Sequence, residues 1–217
     1  MKKTFLVIGL DAFGSALALE LANFGYHVTV LDLNEEKVNK IANSVEKAIV
    51  GDSTNDLVLK EIGAELFNHV IVSIPGNVKN SILTTMILKD LNAAEITVKV
   101  DDLYHAKVSE KVGATNVIDS ESLAGRRLAH KIMSDNILDY YHLSDDYGIY
   151  EFIVENTFKE VALSEFDPRN KYGVNILLII RDEKAILAKK DSLIKPLDKL
   201  IVIANSHKVT KFVHLLK

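Results

Sequence analysis

From residue 4 to about residue 120 one unit recurs: a short β-branched run, a turn containing Gly, Asp or Ser, and a stretch with helical periodicity. The runs read TFLVIGL, HVTVLDL, KAIVGD, HVIVSI, EITVKV and NVID. Their nearly continuous apolar character marks strands covered on both faces, as in a parallel sheet. Between the first two runs, Leu17, Leu21 and Phe24 fall at i, i+4 and i+7, and Gly25 follows as a helix stop. Six such alternations, joined by right-handed crossovers, predict an α/β fold with a Rossmann-like, doubly wound parallel sheet.

The rhythm changes after Ser120. Residues 121–142, ESLAGRRLAHKIMSDNILDYYH, predict two helical segments broken near Ser134-Asp135-Asn136. Leu128, Ile132, Ile137, Leu138 and Tyr141 would line an apolar surface that either covers the core or contacts a second copy. LSDDYG, residues 143–148, reads as a polar hinge. The expected parts are therefore a nucleotide-binding domain over 1–120, a helical linker and dimer-contact segment over 121–148, and a small α+β ligand domain over 149–217. In the last of these, Tyr150, Phe152 and Val154 share one face of a strand. VNILLIIRD and EKAILAKKD form a hairpin turning at Arg181 to Lys184, DKLIVIANS is a further strand, and HKVTKFVHLLK closes the chain as an amphipathic helix. A domain of about 70 residues has a marginal core, which oligomerisation would help.

Composition removes several function classes. With no Cys there is no disulfide scaffold, Cys-ligated zinc, Fe–S cluster or thiol catalysis. A net charge of −4 and the lack of any Lys/Arg run argue against a nucleic-acid partner or an anionic membrane surface. MKKTFLVIGL pairs two lysines with an apolar run, but the run stops at Asp11 without a small-residue cleavage site and reads as a first strand. ILLII, residues 176–180, is far shorter than the roughly 20 residues that cross a bilayer. Any membrane role comes through a partner.

The first β–α turn, VIGLDAFGSAL, carries the chemistry. Gly9 opens it, Leu10 precedes Asp11 at the second motif position, Ala12 and Phe13 follow, and Gly14 holds the third. The turn lies after a strand and before a helix whose N-terminal amides attract anions. Asp32, followed by Leu33, ends the second strand 18 residues past Gly14, near the spacing of an acid that grips a ribose. Asp52 and Ser53 end the third strand on the crevice side of the sheet, where such folds bind ligands. Asp11 breaks the pattern, because a glycine there lets the backbone approach a pyrophosphate. A carboxylate about 5 Å from a phosphate charge, at an effective dielectric of about 20, repels it by about 3 kcal/mol. That is more than about a hundredfold in affinity. A rotamer facing solvent or a bridging divalent cation would cancel much of it. The expectation is an adenosine half-site that survives beside weakened polyphosphate binding.

Over essentially its whole length the chain resembles the RCK family, the cytosolic gating subunits of KtrA/TrkA-type potassium uptake systems, and within it the Ktr branch. The resemblance rests on VIGL…FGSALALELANFGYHVTVLDLNEEKV, VGDSTNDLVLKEIGAELFNHVIVSI, NSILTTMILKDLN, YHAKVSEKVGATNVIDSE and DPRNKYGVNILLI. It implies an N-terminal domain that binds ATP, ADP or NAD(H), a C-terminal ligand domain, and homodimers that build an octameric ring beneath a KtrB/TrkH-type membrane channel subunit. The chain would then be cytoplasmic and peripheral to the membrane through that partner. By position, Asp32 would hold the ribose, Asp52 the adenine side, and Lys99 would lie near the phosphates, with Ser73 also in the site. Glu121 matches an acid at the subunit contact where a divalent cation can sit. Ktr relatives read Gly-Leu-Gly-Arg-Phe-Gly in the turn; here Asp11 and Ala12 replace the Gly-Arg pair, two charge units in the wrong direction for ATP. In the second domain the resemblance implies cyclic di-AMP, with Arg169 at its phosphate and Asp167 and Asn175 nearby. An Arg suits that task through its bidentate fork.

Two other classes compete. A small NAD-dependent oxidoreductase needs a proton donor beside the nicotinamide. No Tyr-x-x-x-Lys pair supplies one, and Ser53 and Ser73 have no base nearby in sequence. The seven histidines, at 27, 69, 105, 130, 142, 207 and 214, show no HxxxH pairing and read mostly as surface or capping residues. A transcriptional regulator needs a basic recognition helix, and Arg126-Arg127 with His130 is short and followed by Asp135 and Asp139.

Overall fold

In a computed structural model, residues 2–144 and 146–216 are described; Asp145, within the expected hinge, lies outside the described residues. The chain forms two compact units, 1–121 and 122–217.

The first unit alternates strand and helix as the sequence predicts: β1 (Thr4–Ile8), α1 (Ala12–Asn23), β2 (His27–Asp32), α2 (Glu35–Ile41), β3 (Lys47–Val50), α3 (Asp56–Ile62), β4 (His69–Val72), α4 (Val78–Asp90), β5 (Ile96–Lys99), α5 (Leu103–Val112) and β6 (Asn116–Ile118). The sheet is parallel, in the order β3-β2-β1-β4-β5-β6, so the winding direction reverses between β1 and β4. Side chains alternate across it. Leu6, Ile8, Val70, Val72 and Val98 pack on one face with Leu59 and Leu88, while Val7, Val28, Val30 and Ile71 pack on the other with Ala18 and Val38. Helix starts are set locally: Asp11, Asn34, Asn55, Asn77 and Asp102 each accept a first-turn amide. Phe24 departs from expectation. Helix α1 ends at Asn23, and Phe24 caps it through its backbone while its side chain stays exposed.

Helix α6 (Ser120–Ile132) starts at the end of this unit and continues into the second. None of its residues is buried, so its apolar side chains cover no core; Leu128 and Ile132 are among the exposed ones.

The second unit contains β7 (Ile137–His142), β8 (Tyr147–Ile153), β9 (Val161–Ala162), α7 (Leu163–Phe166), α8 (Pro168–Tyr172), β10 (Val174–Arg181), β11 (Lys184–Leu187), β12 (Leu193–Ile194), β13 (Lys199–Asn205) and α9 (Val209–Val213). Five strands form an antiparallel sheet in the order β11-β10-β13-β8-β7, and β9 pairs with β12. Tyr150, Phe152, Val154, Val174, Val202 and Phe212 form its core. Asp198, fully buried, accepts from Arg181 Nε and Nη2 at 2.7 Å each and from the Lys195 amide at 2.7 Å. The hairpin closes with Arg181 opposite Lys184, as expected.

Two expectations for 133–148 are corrected. The second helical segment is strand β7: Tyr140 pairs with Tyr150 across β8, and a register shift between Ile137 and Asp139 accommodates the residue that made the spacing look helical. Tyr140 and Tyr141 favour that pleated surface. The expected hinge closes the β7–β8 hairpin, with the Leu143 and Ser144 amides donating to the Tyr147 carbonyl. Among the described residues no helix is long and apolar enough to cross a membrane. Phe152 stacks on Tyr150 and packs against Phe212 in the small core. Phe152→Ala should cost about 3–5 kcal/mol, read from the urea midpoint by circular dichroism. An unchanged midpoint would contradict the packing.

Candidate functional site

The β1–β4 reversal leaves a crevice at the carboxyl ends of the strands, and the first β–α turn crosses it. Both glycines of that turn are demanded by packing. Gly9 has φ +92°, and a Cβ there would meet the Ser73 carbonyl oxygen at 1.8 Å. A Cβ on Gly14 would meet the Gly9 carbonyl oxygen at 2.1 Å. The backbone therefore passes close enough to leave a cleft of about 200 Å³, whose lining includes Gly9, Asp11, Asp32, Leu33, Asp52, Ser53 and Ser73. Pockets that engulf a drug-sized ligand start near about 300 Å³, so this one suits part of a dinucleotide.

Asp32 stands at the cleft's far wall. Its Oδ2 accepts the Leu10 amide at 2.6 Å and its Oδ1 the Asn34 amide at 2.7 Å, with Lys37 Nζ 3.9 Å from Oδ2. A carboxylate has about four lone-pair sites. The two amides use two, which leaves acceptor capacity on each oxygen for a pair of neighbouring hydroxyls. Asp52 Oδ1 accepts from the Thr54 amide and hydroxyl, turning the chain toward α3. Ser53 is buried, its hydroxyl 2.9 Å from that of Thr84.

Asp11 departs most from the simple electrostatic expectation. Its carboxylate neither faces solvent nor stands bare beside the helix end. Oδ1 accepts the Gly14 amide at 2.8 Å and the Ser73 hydroxyl at 2.6 Å, and Oδ2 accepts Lys99 Nζ at 2.8 Å. Lys99 also reaches Glu121 Oε1 at 2.9 Å and lies 5.8 Å from the Phe13 ring centroid. Burial alone would push the Asp11 carboxyl up, but the bonds from Lys99, Ser73 and Gly14 outweigh it and hold it below the usual range. Burial works to lower the Lys99 ammonium, and Asp11 and Glu121 overcome it, leaving the group raised. Bonds from Lys99 and Ser120 hold Glu121 down. Asp11 is thus a paired charge, and the partners that pair it, Ser73 and Lys99, lie 62 and 88 residues away in sequence.

Leu10, Ala12, Phe13 and Gly14 build the turn rather than line the cleft, and Lys99 and Glu121 join it through Asp11. Lys37, Gly51, Pro75 and Asn80 also line it and were missed. Lys37 had a signal, since it lies one helical turn past Asn34, the α2 cap that bonds Asp32. In the second unit, Asp167 holds a left-handed conformation (φ 48°) between α7 and α8 and accepts Asn170 Nδ2 at 2.9 Å; Arg169 and Asn175 are exposed. Among the described residues no group of three or more His, Asp or Glu is placed to hold a metal ion. His105 is buried against Ser81, unlike the surface role expected for most histidines.

The Asp11–Lys99 pair has a measurable pH signature. A carboxyl held below its ordinary value of 3.8 adds stability that is fully present above that value and lost as pH falls through its lower native value. Lys99→Met keeps the stem but strands the carboxylate, and should cost about 3 kcal/mol at pH 7 in urea unfolding. The loss should shrink at pH 3, where a stranded Asp11 is protonated. Equal losses at both pH values would contradict the pairing.

Comparison with known proteins agrees with the two-unit layout. Residues 5–120 match the TrkA-N domain and residues 150–217 the TrkA-C domain. Ktr system potassium uptake protein C of Bacillus subtilis (strain 168) is 40% identical over 213 residues, 98% of this chain and 96% of that protein. Ktr system potassium uptake protein A of the same organism is 35% identical over 211 residues, covering 97% and 95%. The Vibrio alginolyticus protein A is 31% identical over 201 residues, covering 93% and 91%. Among solved structures, the GsuK channel bound to NAD superposes with a TM-score of 0.68 at 16% identity, and the GsuK RCK domain with 0.66 at 15%. Each match covers all of this chain but only 40% and 48% of those chains, and at such identity speaks for the fold. Both domains in order, with identity sustained from end to end, show that this chain belongs to the RCK, KtrA-type family of potassium uptake proteins and not to the enzymes that share its N-terminal fold.

Proposed function

We propose that the chain is the cytosolic regulatory subunit of a potassium uptake system, gating a membrane channel through a ligand with an adenosine moiety held in the β1–β4 cleft. One observation carries the ligand: the Asp32 carboxylate, fixed by two backbone amides at the cleft wall with acceptor capacity left for ribose hydroxyls. Asp52 and Ser53 would bound the adenine side. The NAD named for the GsuK structure, and the ATP or ADP implied by the family resemblance, share this adenosine half.

The subunit is proposed to act as a homodimer assembled into an octameric ring on a KtrB/TrkH-type membrane subunit, cytoplasmic and peripheral to the membrane. The Ktr names of its relatives and the exposed apolar side chains of α6, Leu123, Leu128 and Ile132, support this reading. Gating requires the ligand to bind one ring shape better than another; equal affinity would regulate nothing. Cyclic di-AMP is the proposed second ligand, with Arg169 exposed on α8 to fork onto its phosphate, Asp167 two residues before it and Asn175 six residues after it. A divalent cation at Glu121 would compete with Lys99 for one carboxylate.

Asp32→Ala should weaken adenosine and AMP binding by at least about tenfold in titration calorimetry, the loss of a charge-assisted bond. Unchanged affinity would overturn the assignment of the cleft. Cyclic di-AMP should bind the native protein and fail to bind Arg169→Ala; an equally tight variant would remove Arg169 from that role.

A further inference from the structure

We infer that Asp11 is a built-in occupant of the phosphate seat, so that the cleft selects adenine nucleosides and their monophosphates and turns away polyphosphates. This rests on the nucleotide reading above and specifies its ligand class.

A phosphate at a strand–helix turn uses the amides of the turn, a nearby hydroxyl and a cation. Here at least one donor of each kind is already committed within the chain. The Gly14 amide and the Ser73 hydroxyl donate to Asp11 Oδ1, and the Lys99 ammonium to Oδ2. The Gly9 amide donates to the Leu31 carbonyl at 2.8 Å, and the Leu10 amide to Asp32. Lys99 is 4% exposed and held from a second side by Glu121, so a phosphate would have to compete with two carboxylates to recruit it. Asp11 therefore excludes phosphate by filling its place, a stronger device than repulsion at a distance.

The charges agree. Asp11, Asp32, Asp52 and Glu121 set four carboxylates against the two ammonium groups of Lys37 and Lys99. A triphosphate would add several negative charges to a site already in deficit. Lys37, half-exposed on the cleft wall, remains available to one phosphate, which keeps a monophosphate acceptable.

The test is calorimetry of adenosine, AMP and ATP with the native protein, Asp11→Gly and Asp11→Asn. Native protein should bind adenosine and AMP more tightly than ATP. Asp11→Gly opens the seat and frees Lys99 from one of its two carboxylates, and should raise the ratio of ATP to adenosine affinity by at least about tenfold. Asp11→Asn keeps an acceptor for Gly14 and Ser73 and so protects the fold while giving up the ion pair; its ATP affinity should fall between the other two. ATP bound by the native protein as tightly as AMP, or an ATP-to-adenosine ratio unmoved by both substitutions, would overturn the inference while the nucleotide reading stands. If none of the three proteins bound any of the three compounds, the nucleotide reading itself would fail and take the inference with it.

Discussion

The reversal of winding between β1 and β4 is the constraint on which the rest depends. Crossovers leave the central pair of strands in opposite directions, so no connection covers their carboxyl ends and a crevice opens there. Everything assigned to the site stands on that edge. Asp32 ends β2, Asp52 follows β3, Ser73 follows β4 and Lys99 ends β5. Asp32, Ser73 and Lys99 are placed by the largely buried strands β2, β4 and β5, and Asp52 by the edge strand β3.

On this edge a single carboxylate joins a helix start to two strand ends. Asp11 receives bonds from the start of α1, from the residue after β4 and from the last residue of β5. Ion pairs at a surface contribute little, but here the lysine is buried and the acid nearly so. Removing the lysine leaves the Asp11 carboxylate with only the Gly14 amide and the Ser73 hydroxyl. The turn thus gains in order what it gives up in anion-binding capacity.

Much of the fold was legible because its signals are local. Continuous apolar strands, turns with Gly, Asp or Ser and helical periodicity each announce themselves within a few residues, and together they predict the sheet of the first unit. The stretch around Ile137 to Tyr141 was misread because a bulge breaks the two-residue alternation and leaves apolar positions at helix-like intervals; only pairing with β8 settles it. The candidate site was half legible. Asp32 and Asp52 follow from spacing and strand ends, and Asp11 stood out by its charge. What Asp11 does was hidden, since Ser73 and Lys99 are brought to it by tertiary folding alone. Lys37 was overlooked because a lysine on a short surface helix looks ordinary until its helix is docked beside β2.

The two turn glycines carry one more consequence. Because a methyl group at either would collide with backbone, they answer to the architecture whether or not anything is bound. A lineage that ceased to need a ligand would still be obliged to keep both. Decay or change of use in such folds should then be sought first in the positions between the glycines, which meet no such backbone collision, and a glycine signature by itself testifies to sheet topology more than to cargo.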